Sequence, residues 1–267
     1  MAPVTTIGID TPVWPVGQWV ATTLTFGLAV AVLVWVVRLC RRESIGWPLA
    51  VLASGTLTCL MEPLFDHLYG LWFREQGQWH LYTTFGSHQP IWVPAAYLTF
   101  YGGATVFIAR TLARRPTMRT VWTMYAFIVV MAIAAEMTYI SVLNVYEYQD
   151  SQPFVVLGYP IFLGFTNAMS ALVSGIVVYR VAPQLSGWAQ LSLIPVVPMA
   201  FAAGLFGSGI LYLSVRHSVE HPPMLIVHLA ALTVVGAIAG TVGLLGRLLV
   251  APKRDVAEAV VIEQKCQ

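Results

Sequence analysis

The sequence predicts an all-α, polytopic membrane bundle of seven transmembrane helices, with the N-terminus outside and the C-terminus inside. Three observations carry this expectation. Only 10% of the 267 residues are charged and 58% are hydrophobic, whereas a soluble domain averages about 25% charged residues. Mean hydropathy is +0.74. Apolar stretches of about 20 residues, the length that crosses a bilayer as a helix, recur along the chain and are separated by loops that differ sharply in Lys and Arg content.

The stretches fall at 17–38, 47–73, 91–112, 119–146, 154–181, 187–214 and 224–249. Arg38, Arg41 and Arg42 close the first, and Arg110, Arg114, Arg115 and Arg119 separate the third from the fourth. Arg180 ends the fifth, and Arg247, Lys253, Arg254 and Lys265 close or follow the seventh. Twelve of the 14 basic residues thus share one side, with only Arg74 and Arg216 on the other, and the positive-inside rule makes the crowded side cytoplasmic. Pro90, Pro153 and Pro222-Pro223 punctuate the loops before the third, fifth and seventh spans. The expected organisation is an extracytoplasmic arm over 1–16, a transmembrane domain over 17–250 and a flexible cytoplasmic tail over 251–267. The arm has three prolines and no Lys or Arg, so it reads as a retained segment. No strand is expected, and no two segments share a motif that would mark an inverted repeat.

Composition also excludes functions. A formal charge of +2 offers no basic surface for nucleic acid, and little chain is left over for a separate soluble catalytic domain. A retinal protein needs a lysine in its last helix, but the only lysines, Lys253 and Lys265, lie beyond it. Cys40, Cys59 and Cys266 have no C-x-x-C spacing, so neither a disulfide framework nor a zinc knuckle is expected. The string from His217 to His221 matches H-x-x-E-H, but it lies beside two prolines rather than in a regular helix, so no metal site is expected. No nucleotide, flavin or haem fingerprint is present, and the expected chemistry needs no cofactor.

Three carboxylates lie well inside the spans: Glu62 and Asp66 in the second and Glu136 in the fourth. Ionisable groups at bilayer depth cost a few kcal/mol or more, and by default they face the bundle interior as a functional site. Glu62 and Asp66 are i,i+4 and share a helical face with Thr58 and Tyr69. Counting at helical rise puts Glu62 about 16 Å and Glu136 about 15 Å below the outer ends of their spans. Glu136, Tyr139, Leu143 and Tyr146 continue a stripe on the fourth helix, and Asn167 faces them from the fifth. Pro63 removes a backbone donor, frees the Cys59 carbonyl and kinks the helix beside Glu62, opening space for a ligand.

All six histidines map to the outer half or outer loops, and His67 and His228 are candidates for the cavity mouth as proton relays or hydrogen-bond donors. Trp72, Phe73, Trp79, Trp92, Tyr97, Tyr146 and Tyr148 are mainly expected to form an interfacial belt. Gly102-Gly103 and Gly204, Gly207 and Gly209 are expected at close helix contacts.

The stretch Glu62-Pro63-Leu64-Phe65-Asp66, with Phe85-Gly86-Ser87 and Pro94-Ala95-Ala96-Tyr97 after it, resembles the avermectin spirocycle-forming (AveC-like) membrane proteins. A second block, Glu136, Tyr146-x-Tyr148, Pro153-Phe154, Gly158-Tyr159-Pro160 and Asn167, resembles that family in the same order. The resemblance covers roughly residues 58–170. The chain departs from the family's usual Asp-Pro with a nearby Asn, since it has Glu62-Pro63 and Asp66.

The resemblance implies closure or dehydration of a spiroketal on a polyketide-type substrate. Such steps need an acid for a ketone or departing hydroxyl, and a base for the attacking hydroxyl or the lost proton. Carboxyls one helical turn apart tend to share a proton, so Glu62 with Asp66 is expected to act as a coupled pair. Glu136 opposes them as catalyst, and Tyr69, Tyr139, Tyr146, Asn167, His67 and His228 contact the substrate. The expected partners are a hydrophobic small molecule and the lipid bilayer. A membrane-bound terpene cyclase would use the same acids on a prenylated compound, and a proton-coupled carrier or lipid-binding protein would use them without chemistry.

Overall fold

The computed structural model describes residues 9–149, 152–218 and 222–250. Among these residues the chain builds seven helical runs: α1 (Pro15–Glu43), α2 (Trp47–Tyr69), α3 (residues 93–114), α4 (Met118–Val142), α5 (Phe162–Gln184), α6 (Gly187–Arg216) and α7 (Met224–Val250). All but α3 are long and apolar enough to cross a membrane. α3 is continuous but more polar, because Tyr97, Thr99, Tyr101, Gly102, Gly103 and Thr105 interrupt its apolar run. The protein is a helical, multi-pass membrane bundle.

Contacts at the helix ends define the up-and-down arrangement. Arg110 near the end of α3 pairs with Glu43 at the end of α1, and Arg180 of α5 donates to the Leu248 carbonyl of α7 at 3.5 Å. At the opposite end, His217 after α6 donates to the Leu68 carbonyl near the end of α2, 2.9 Å away. Among the described residues every arginine except Arg74 and Arg216 lies at or near the first of these ends, here termed the arginine end. α5 is the central helix, with 78% of its most apolar window buried, whereas α1 buries only 22% and presents Val20, Leu24, Leu28 and Leu33 outward. Exposed apolar faces of this kind suit lipid rather than water.

Close backbone approach sets the packing. A Cβ on Gly55 of α2 would stand 2.5 Å from Gly102 of α3, and one on Gly204 of α6 would meet Ser170 Oγ of α5 at 2.2 Å. Gly103 and Gly209 are also close contacts, to Val32 and to the Tyr69 hydroxyl. Gly207 is not, since nothing but its own helix's Ala202 carbonyl lies near it, at 3.8 Å. The described cysteines, Cys40 and Cys59, are free thiols.

The end opposite the arginines is capped by strands, which corrects the strand-free expectation. β1 (Ile9–Pro12), β2 (Leu71–Gln76) and β5 (Tyr146–Tyr148) form one sheet in the order β1-β2-β5, parallel between β1 and β2 and antiparallel between β2 and β5. β3 (His80–Thr84) pairs with β4 (Ser87–Pro90), and β6 (Val155–Val156) with β7 (Tyr159–Pro160). The expected spans 47–73, 119–146 and 154–181 therefore overran. α2 stops at Tyr69 because Gly70 takes a left-handed cap at φ 71° and donates to the Asp66 carbonyl. α4 stops at Val142, with Asn144 left-handed at φ 51°, and α5 begins only at Phe162. Apolar residues continue past the helix ends at Leu71, Trp72 and Phe73, at Leu143 and Val145, and at Val155–Val156, so hydropathy does not register where the helices stop. Arg74 ties the cap together, donating to Thr11, Asn144 and Glu147 at 2.7, 2.9 and 2.9 Å. The 251–267 tail, with Lys253, Arg254, Lys265 and Cys266, lies outside the described residues, as do Glu220, His221 and the first eight residues of the arm.

Candidate active site

Glu62 opens the last two turns of α2, directly after a short 3-10 turn at Cys59–Met61. Pro63 is the reason for that turn. With no N–H at residue 63, the Glu62 N–H tightens onto the Cys59 carbonyl, and Tyr82 of β3 donates a second bond to the same oxygen at 2.7 Å. Burial first, then the neighbouring Cys59, Glu62 and Asp66 groups, hold the Tyr82 phenol above its ordinary range, so it remains a donor.

The Glu62 carboxylate accepts a hydrogen bond from the Tyr97 hydroxyl of α3. Tyr101, one turn further along, donates to Asn167 Oδ1 at 2.6 Å, and the Asn167 amide donates to the Tyr159 hydroxyl of β7 at 3.4 Å. Across the space, Glu136 of α4 accepts from Tyr146 at 2.9 Å. Tyr146 does not continue a helical stripe, as the spacing implied. α4 ends first, the chain reverses at Asn144, and β5 carries the phenol back over the carboxylate. Burial, then the Glu136 carboxylate, hold this phenol above its ordinary range as well.

Glu62 and Glu136 line one cavity of about 620 Å³, with Tyr97, Tyr101, Tyr139, Tyr146 and Asn167. Glu62 is buried, whereas Glu136 is partly accessible. Phe65, Trp92 and Phe201 complete an aromatic wall around the acids: Trp92 packs on Tyr139 and Tyr146 at 5.0 and 6.3 Å, and Phe201 on Tyr97 and Tyr101 at 5.7 and 5.2 Å. Trp72, Phe73, Trp92, Tyr97 and Tyr146 are all buried, which corrects their assignment to an interfacial belt. Strands β2 and β5 carry Trp72, Phe73 and Tyr146 inward over the bundle, Trp92 and Tyr97 sit at the start of α3, and three of the five line the cavity.

Two π-helical turns shape the walls, over Leu98–Gly103 of α3 and Thr138–Val142 of α4. They carry Tyr101 and Tyr139 respectively, at the kind of helix widening that recurs at functional sites. Nothing in the apolar periodicity marks them, and the Tyr97 contact was also not foreseen, although its i,i+4 relation to Tyr101 was available. Tyr139 shares a short hydrogen bond with Thr25, which holds α4 to α1.

Other expected site residues lie elsewhere. Asp66 is fully buried and off the cavity; its Oδ2 accepts from Ser87 at 2.8 Å and Gln89 at 2.7 Å, anchoring β4 to α2. Tyr69 shares Glu62's helical face but lies about 10 Å further along the axis, where α6 packs against it: it donates to the Leu205 carbonyl at 2.6 Å and stacks on Tyr212, off the cavity. His67 donates to the Phe85 carbonyl on the cap, and His228 donates to the Met224 carbonyl of its own helix at 2.8 Å while packing on Phe154. Among the described residues no three His, Cys, Asp or Glu side chains gather as a metal ion would require. No protein-family model, curated protein or solved structure matches the chain.

Proposed function

We propose that this protein is a membrane-embedded, cofactor-independent acid–base enzyme acting on a hydrophobic small molecule. The observation that supports it most is that Glu62 and Glu136 face one largely apolar cavity from different helices, each held by a tyrosine hydroxyl. One carboxyl delivers a proton to a ketone or departing hydroxyl, and the other removes a proton from the attacking hydroxyl or the adjacent carbon. The product is a spirocycle or an alkene, with water released in either case. This is the spirocyclase-like chemistry implied by the Glu62-Pro63 and Glu136-to-Asn167 blocks. Asn167 and Tyr139 orient substrate oxygen atoms, and Asp66 acts as a positioning residue. The arginine distribution supports an orientation with the capped end on the outer side of the cell membrane.

The aromatic wall of Phe65, Trp92, Tyr97, Tyr101 and Phe201 favours a second reading, a terpene cyclase. Ring faces stabilise a cation desolvated among them, and an acid beside them opens an epoxide or protonates an alkene. The two readings differ in the substrate, a hydroxy-ketone or a prenylated compound.

The test is metabolite profiling of the native host with the gene deleted, then restored as wild type, Glu62→Gln or Glu136→Gln, with membrane insertion checked for each. An uncyclised or still-hydroxylated precursor is expected to accumulate in the deletion and to be cleared by wild type alone. Each Gln variant is expected to lose about 10²–10⁴-fold in turnover. An unchanged profile on deletion, or full restoration by both variants, refutes the enzyme reading and favours the carrier.

A further inference from the structure

The cavity is a trough rather than a closed chamber. At the capped end α1 and α4 are clamped together, by Thr25 to Tyr139 and by the approach of Gly17 to the Leu143 carbonyl, where a Cβ would stand 1.9 Å away. Toward the arginine end the cavity lies between the two helices, with Phe100, Gly103, Ala104 and Phe107 of α3 along its floor. Leu28, Val32 and Trp35 form an i, i+4, i+7 stripe on α1, and Phe127, Met131 and Ala135 an i, i+4, i+8 stripe on α4. All six line the cavity, and all but the half-buried Val32 are exposed on the outside of the bundle. Side chains that line an internal space and also face outward from the middle of two apolar helices mark an opening onto lipid rather than onto water.

The polarity of the trough is one-sided. Glu62, Glu136, Tyr97, Tyr146 and Asn167 occupy its capped end. Toward the arginine end Trp35 and the packed pair Phe107 and Phe127, 6.2 Å apart, line it with aromatic rings and no ionisable side chain. From Thr25 to Trp35 the α1 wall runs about 15 Å, and from Phe127 to Tyr139 the α4 wall runs about 18 Å.

Resting on the acid–base reading of the same cavity, we propose that the substrate is a single-headed amphiphile that enters sideways from the lipid between α1 and α4 and binds with its polar, reacting end at Glu62 and Glu136 and its apolar chain along Trp35, Phe107 and Phe127. The wall lengths set the chain that fits, an extended tail of about 15 Å. A compact polar metabolite is disfavoured on the same grounds, since the Trp35 indole N–H is the one hydrogen-bond donor among the six side chains of the two stripes.

The experiment uses full-length protein in lipid nanodiscs and two photoreactive long-chain alcohols, one with a diazirine at the chain end and one with the diazirine beside the hydroxyl. Adducts are mapped by peptide mass spectrometry. The chain-end probe is expected to label Trp35, Phe107 or Phe127, and the head-end probe the segment around Trp92 and Tyr97. Ala135→Trp, which fills the opening from the α4 side, is expected to reduce both cavity signals tenfold or more while leaving adducts on the outward face of α7, at Leu229 and Leu232, unchanged. Leu28→Trp does the same from the α1 side and replaces the first variant if that one does not fold. Identical adduct patterns from the two probes, or cavity labelling that both blocking variants leave intact, would overturn the proposal. Glu136→Gln separates the two readings: labelling that persists while turnover is lost supports both, and turnover lost by that variant without cavity labelling in wild type sinks only the lateral route. Labelling as expected with full turnover in both Gln variants sinks only the acid–base reading.

Discussion

Tyr82 donates its hydroxyl to the Cys59 carbonyl across 2.7 Å, the same oxygen that accepts the Glu62 N–H where Pro63 breaks the helix. A hydroxyl from the β3–β4 hairpin thereby reaches into α2 beside a carboxylate of the candidate site. Tyr82→Phe removes one bond from an acceptor that keeps another, and is expected to cost about 0.5–1.5 kcal/mol. Thermal unfolding in detergent measures it. In a Pro63→Ala background, where residue 63 regains a donor, the same substitution is expected to cost measurably less, as a double-mutant cycle reads directly.

Asp66 and Glu62 are one helical turn apart but do different things. Asp66→Asn keeps an oxygen that accepts from Ser87 and Gln89, so turnover is expected to stay within about tenfold of wild type, whereas Glu62→Gln loses about 10²–10⁴-fold. Asp66→Leu strands two buried polar partners and is expected to cost about 2–5 kcal/mol. Equal losses of turnover in Asp66→Asn and Glu62→Gln, with stability unchanged, would return Asp66 to the chemistry.

Tyr146 holds Glu136 from a strand outside the span. Tyr146→Phe keeps the ring contacts with Phe73 and Trp92 and removes only the hydrogen bond. Turnover is expected to fall on the order of 10–100-fold, the scale of a small misplacement of a catalytic group, with Tm little changed. Steady-state kinetics on the accumulated precursor checks this.

Gly204 and Gly207 lie one helical turn apart, yet only the first is locked against another helix. A methyl on Gly204 would drive into the Ser170 backbone, 2.5–2.6 Å away, and Gly204→Ala is expected to cost about 3 kcal/mol or more, or to prevent assembly. Gly207→Ala has room and is expected to be neutral or slightly stabilising through its helix propensity. Size-exclusion profiles and Tm in detergent distinguish them.

The candidate site was half legible. Glu62, Glu136, Tyr139 and Asn167 were accessible to sequence reasoning because a carboxylate or amide inside an apolar run is costly, and helical spacing says which neighbours share its face. Tyr146 was named for the wrong geometric reason, since apolar Leu143 and Val145 carry on past the end of α4 and mask the turn at Asn144. Tyr69 was placed at the site by its helical face, which is right but does not say where along the axis the cavity ends, whereas His67 and His228 were placed by depth alone, and depth says nothing of the direction a side chain takes around the helix.

By itself the sequence determined that this chain is a membrane protein built of apolar helices, with its basic residues gathered at one end and a few acids inside. Those properties are local sums of transfer free energy and charge, which need no knowledge of which helix touches which. The tertiary structure alone decided that Glu62 and Glu136 share a cavity while Asp66 does not, that phenols from α3 and β5 hold those acids, and that the cavity lies between α1 and α4 below their clamp. These depend on helix rotation, on left-handed caps at Gly70 and Asn144, and on π-helical turns in α3 and α4. Each is set by contacts between residues distant in the chain, where a shift of a fraction of a turn redirects a side chain without altering the hydropathy of the segment.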